Sequence, residues 1–122
     1  MYRIINKDVY VNRGDALTLH LVNRTGDFKS GDYLILSICE ENNLENTLLT
    51  KRVDLTETTD VADINLTSQD TKNLCEAFKT GYKVFWYEIE LNENTTLIGY
   101  DLDGPKLFVL YPEASKHGEG SI

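Results

Sequence analysis

Apolar and polar residues alternate with a period of two along most of this chain, the spacing of a strand with one buried and one wetted face. Val9 and Val11 alternate with polar neighbours, and Leu17, Leu19 and Leu21 alternate with Thr18 and His20, which predicts two consecutive strands. The NRGDA junction at 12–16 supplies Gly-Asp turn chemistry between them, and 23–32 reads as a long polar loop. In DYLILSICE, residues 32–40, Leu34, Leu36 and Ile38 share one face while Tyr33, Ile35 and Cys39 occupy the other. Both faces are therefore covered over part of its length, as in a central strand or one that meets a partner. The ENNLEN cluster at 41–46 predicts a turn, TLLTKRVDL at 47–55 a fourth strand, and 61–66 a fifth in which Ile64 and Leu66 point the same way.

The period changes once. Thr67 fits a helix N-cap, with Asp70 three positions on, where a carboxylate faces the free N–H groups of the first turn. Leu74, Cys75 and Phe78 then follow at helical spacing, predicting a short helix over 68–78 with one docking stripe, and Gly81 supplies a left-handed stop or turn beyond it. The strand expected over 82–91 sets Phe85, Tyr87, Ile89 and Leu91 on one face without a break. Its other face is split, apolar at Tyr82, Val84 and Trp86 but acidic at Glu88 and Glu90, so only its first half needs cover, from the chain's own helix and loops or from another subunit. A hairpin through NENT leads into TLIGYDL, and KLFVLYP is the last strand, stopped by Pro112.

About 7–8 short strands with regular turn signals and one late helix predict an immunoglobulin-like antiparallel β-sandwich. A barrel is the second choice. Residues 1–113 are expected to form a single domain of this kind and 114–122 a flexible tail. At 122 residues and 41% hydrophobic, the chain can bury a core without disulfides or metals.

Twenty acidic against twelve basic residues leave a net charge of -8, which opposes binding to a phosphate backbone, so no nucleic-acid partner is expected. No apolar run has the length of a signal-peptide core or a membrane span, so no membrane partner is expected either. Cys39 and Cys75 lack CxxC spacing and read as small buried thiols. The three Asn-x-Thr triplets, at Asn23, Asn65 and Asn94, are read as compositional in a chain without a signal peptide.

Candidate chemistry is sparse. Arg13-Gly14-Asp15 spells an integrin-type tripeptide, but it falls at a strand junction and reads as a turn. Asp101, Asp103 and Gly104 in YDLDGP echo the start of a calcium loop without its later ligands, and read as a β-turn. His20 lies mid-strand and His117 in the tail, so they do not form a metal pair. Glu88 and Glu90 share a strand face, but nothing builds the cleft that paired catalytic carboxylates require. No nucleophile elbow, Walker loop or dinucleotide motif is present. No catalytic residue, cofactor or metal is therefore expected.

The segments RGDALTLHL at 13–21, GDYLILSI at 31–38, INLTSQDTKNL at 64–74, GYKVFWYEIEL at 81–91 and LFVLYPE at 107–113 carry a resemblance. Their order is similar to that of small Ig-like β-sandwich proteins of phages and prophages of Gram-positive bacteria, among them the N-terminal domain of siphophage upper baseplate proteins. The resemblance spans most of the chain. The Thr-capped turn into a short helix, followed by Gly and an aromatic strand, is its distinctive part, and the CEAFKTG link at 75–81 is longer than the compact turn of such domains.

What the resemblance implies is a tail, baseplate or virion accessory part, made in the bacterial host cytoplasm and acting by docking on other virion proteins or on itself, without catalysis. It carries no functional residue across. The candidate partner-contact surface comes from the residues themselves: Tyr82, Val84 and Trp86, since Tyr and Trp are enriched at interfaces. The alternative is a carbohydrate- or ligand-binding module using exposed aromatics such as Tyr100 and Tyr111.

Overall fold

The computed structural model describes residues 2–114. Its elements are β1 (Tyr2–Ile5), β2 (Asp8–Asn12), β3 (Leu17–Val22), β4 (Tyr33–Glu40), β5 (Asn43–Asp54), β6 (Val61–Leu66), α1 (Ser68–Lys72), β7 (Lys83–Leu91), β8 (Thr95–Ile98) and β9 (Lys106–Tyr111). The chain is mainly β, with nine strands among the described residues where about 7–8 are expected from the pattern. The additional strand is β1, joined to β2 by Asn6 and Lys7 at φ 48 and 72, the two positive angles of a type I′ hairpin. All four β1 residues are exposed, so no burial alternation marks it in the sequence. β5 also begins earlier than expected: Asn42, at φ 65, turns the chain, and much of the polar ENNLEN cluster joins the strand.

Two sheets face each other across one hydrophobic cluster. The larger runs β1-β2-β9-β7-β4-β5, with β8 also beside β7, and the smaller is the pair β3-β6. Leu17, Leu19 and Leu21 from β3 and Ala62, Ile64 and Leu66 from β6 pack onto Val9, Leu36, Ile38, Phe85, Ile89 and Phe108 of the larger sheet. Each fully buried Leu, Ile or Phe contributes roughly 1.5–3 kcal/mol, which is what holds the two layers together.

The expectation of a wholly antiparallel sandwich is corrected at one ladder. β2 and β9 run parallel, with Val9 beside Phe108 and Val11 beside Leu110. Parallel neighbours need a long crossover, and here it is everything between them: the chain leaves β2 for the other sheet at β3 and returns beside β2 only with its last strand.

The long aromatic strand is interior. β4 lines one edge of β7, from Leu34 opposite Leu91 to Glu40 opposite Phe85. The other edge is shared, by β9 over Lys83 to Tyr87 and by β8 over Ile89 to Leu91. Phe85, Tyr87 and Ile89 are buried as expected. The strand starts at Lys83, so Tyr82 precedes it.

The helix is shorter than the expected 68–78. Its N-terminus carries the anticipated capping box, in which the Thr67 side chain accepts from the Asp70 N–H and Asp70 accepts from the Thr67 N–H. It ends at Lys72 because the following carbonyls are taken by other donors: Arg13 donates to the carbonyls of Lys72 (3.2 Å) and Cys75 (3.1 Å), while the Leu74 N–H turns back to Thr71 (3.4 Å). Five helical residues are too few to hold a helix alone. Thr71, fully buried, anchors it by accepting from the Gly14 N–H at 2.8 Å and donating to the Asp15 carbonyl at 3.0 Å. Leu74 then joins the core from an irregular segment, with Cys75 and Phe78 packed against it, and Gly81 at φ +77 makes a left-handed turn into β7 rather than a helix stop. Of the expected tail 114–122, only Ala114 is described; 115–122, with His117, lie outside the described residues.

Candidate protein-contact face

Alternation along β7 sends Phe85, Tyr87 and Ile89 into the core and leaves Val84, Trp86, Glu88 and Glu90 on the outer face of the larger sheet. The registers extend that face. Val84 stands opposite Val109 and Trp86 opposite Leu107 on β9, with Cys39 of β4 on the other side of Trp86. Tyr10 of β2 is in register with Val109 and Asn12 with Tyr111. Tyr82, just ahead of the strand, packs its ring on Tyr111 at 6.3 Å between centroids, and Trp86 meets Tyr100 edge-on at 5.6 Å. Such pairs are worth about 0.5–1.5 kcal/mol beyond the area they bury.

The three residues singled out from the sequence thus lie on one surface, and the structure adds Leu107, Val109, Tyr111 and Tyr100 to them. The signal for the β9 members was present in KLFVLYP, where both parities are apolar, but sequence alone does not say which parity faces β3 and β6. Of the expected cover from the chain's own helix and loops, the helix part is corrected: α1 is tied to the β2–β3 junction and, through the Lys51–Asp70 ion pair of 2.7 Å, to β5. What reaches over Trp86 is the segment after β8. Gly99 is buried there, and a Cβ on it would stand 2.8 Å from Thr96 Cγ2 and 3.3 Å from Glu88 Cβ. Tyr82 and Tyr100 remain 62% and 59% exposed, so the face carries large aromatic surface into solvent.

The face is polar at its other end. Burial pushes the Glu88 carboxyl up from the usual glutamate range, and the neighbouring Glu90 charge adds to this. Toward β1 lies a groove of about 320 Å³ lined by Tyr2, Arg3, Ile5, Tyr10, Asn12 and Tyr111 among others. Tyr111 of the two aromatics proposed for ligand binding borders it, whereas Tyr100 is engaged with Trp86.

The other candidates resolve into structural contacts. Arg13-Gly14-Asp15 forms the turn that docks α1, with the Arg13 guanidinium turned inward. Asp101 and Gly104 exchange backbone hydrogen bonds across a tight turn, and the Asp101 carboxylate accepts from Lys106 Nζ at 2.7 Å. His20 Nδ1 lies 2.5 Å from Asp63 Oδ1 on the exposed side of the smaller sheet. Cys39 and Cys75 are free thiols, the first buried and raised in pKa chiefly by that burial. No family model, curated protein or solved structure matches the chain.

Proposed function

We propose that this chain is a non-enzymatic phage or prophage virion module, of tail, baseplate or assembly type, that works by docking through the outer aromatic face of its larger sheet. The observation that carries the docking reading is the run Tyr82, Val84, Trp86, Leu107 and Tyr111 on one solvent-facing surface, with Tyr82 62% exposed. Aromatic anchors of this type dominate the energetics of protein interfaces. The virion assignment rests on the sequence resemblance. The strand arrangement is compatible with it: β4, β7 and β9 joined by β5 in one sheet, opposite β3 and β6, follow the C, F, G and C′ strands facing B and E of an immunoglobulin-like sandwich.

The test is to isolate particles from the source element and look for the chain by mass spectrometry. Incorporation in stoichiometric amount, reduced by Trp86→Ala and Tyr82→Ala without loss of fold, is the expected result. Particles assembled without the chain would overturn the assignment. A second reading, a ligand-binding module, is favoured only by the aromatic groove at Tyr2, Tyr10 and Tyr111. A glycan array decides it: sugar binding abolished by Tyr111→Ala would support that reading over docking.

A further inference from the structure

The strand order of the larger sheet ends at β1 and at β5, with the short β8 beside β7 off that order, and the two end strands differ in protection. β5 carries Glu45, Lys51, Arg52 and Asp54 along its length and pairs with β4 through register shifts at Cys39, both devices that discourage further strands. β1, at the other edge, reads Tyr-Arg-Ile-Ile: no proline, no bulge against β2 and one charge. Tyr2, Ile4 and Ile5 are 41%, 44% and 47% exposed, and among the described residues no strand lies beyond them.

The hairpin geometry decides which backbone groups point outward. In a two-residue hairpin the residues flanking the turn form a hydrogen-bonded pair, here Ile5 and Asp8, so the next such pair is Arg3 and Tyr10. The N–H and C=O of Ile4 and Tyr2 therefore face the free edge. An isologous contact, about a two-fold axis normal to the sheet, keeps each face on its own side, and the registers that pair three of the four β1 residues are Arg3 opposite Arg3 or Ile4 opposite Ile4. The first sets like charges directly opposite each other, which is destabilising. The second makes a hydrogen-bonded Ile4 pair exchanging two bonds and sets Arg3 opposite Ile5. On the outer face Arg3 then extends over that Ile5 toward Asp8 of the second copy, since Ile5 and Asp8 are in register; Asp8 Oδ1 accepts from the Leu107 N–H at 2.9 Å, which leaves Oδ2 for the guanidinium. Arg3 has no ion pair among the described residues.

We propose that β1 is a self-association edge: two copies of this chain pair antiparallel through β1, Ile4 against Ile4, making one continuous sheet across the dimer. The charge pattern selects a second copy, because this register matches Arg3 with Asp8 in both directions. Four residues a side bury less than the ~1,600 Å² of a standard interface, so the dimer is weak, forming toward millimolar concentration. The inference is independent of the aromatic docking face.

Sedimentation equilibrium of the full chain tests it. The expected result is concentration-dependent association to twice the 13.9 kDa chain mass. Ile4→Pro removes an outward N–H without breaking a bond to β2, and is expected to leave a folded monomer; Trp86→Ala is expected to leave the dimer unchanged. In a Cys75→Ser background, Ile4→Cys is expected to give a disulfide-linked dimer on mild oxidation, and Arg3→Cys is not. A chain that stays monomeric at millimolar concentration, a dimer that survives Ile4→Pro, or cross-linking at Arg3→Cys rather than Ile4→Cys would each overturn the proposal.

Discussion

The guanidinium of Arg13 donates to the main-chain carbonyl of Lys72 at 3.2 Å, and from its Nε to Cys75 at 3.1 Å, so one side chain from the β2–β3 junction closes the C-terminal end of a helix 59 positions away. Glu113 Oε1 lies 3.8 Å from the same guanidinium. Arg13→Ala leaves these carbonyls without their donor, and hydrogen bonds from a charged group are worth about 1.5–3 kcal/mol. A loss of stability in that range is expected on urea unfolding, and Arg13→Lys should recover only part of it, since an ammonium lacks the planar fork that reaches both carbonyls.

Thr71 contributes from the helix side. Its hydroxyl accepts the Gly14 N–H, and Gly14 sits at φ +90, where the chain turns sharply enough to present that N–H. Thr71→Val keeps the shape but strands a buried donor, for an expected loss of about 1–3 kcal/mol, while Thr71→Ser should retain most of the wild-type stability. Equal effects of the two substitutions would show that packing, rather than the hydroxyl, matters here.

Two carboxylates should shape the pH dependence in opposite senses. Burial alone would raise the pKa of Asp70, but its bonds to Lys51 and to the Thr67 N–H and hydroxyl outweigh that and hold it below the usual aspartate range. Its contribution is therefore present above the unfolded pKa and lost as pH falls through the lower folded value. Asp70→Asn should flatten the acid side of the stability profile. Glu88 behaves oppositely: burial raises it, so the folded state holds the proton longer and stability declines as pH rises from the usual glutamate range through the folded pKa. Glu88→Gln is expected to be more stable than wild type at neutral pH and to show no such gain in acid, as thermal melts across the range would reveal.

The segment over the outer face has its own reporter, because Trp86 is the chain's single tryptophan. Gly99→Ala brings a methyl to 2.8 Å from Thr96 Cγ2, and relieving that overlap should cost about 1–3 kcal/mol and lift Tyr100 from the indole. Tyr100→Ala removes the ring without the clash, for about 0.5–1.5 kcal/mol. Both should shift Trp86 emission to the red, and an unchanged spectrum in Tyr100→Ala would contradict the packing described.

Alternation in the sequence determined the β class, six of the strands close to their observed bounds, the inward set of β7 and the Thr67 capping box, because each depends on local periodicity or on groups three residues apart. Val84 and Trp86 were likewise legible as one face, since parity along a strand is a local property, and Tyr82, just ahead of the strand, joins them through its ring contact with Tyr111. The sequence did not determine what lies across a ladder or a layer. That β2 runs parallel to β9, that Leu107, Val109 and Tyr111 extend the aromatic face, and that Tyr100 rather than the helix reaches over Trp86 all depend on contacts between distant segments. The helix shows the same division most clearly. Its start was set by its own residues, while its end was decided by a guanidinium from another part of the chain, a competition for carbonyls that exists only once the two are folded together.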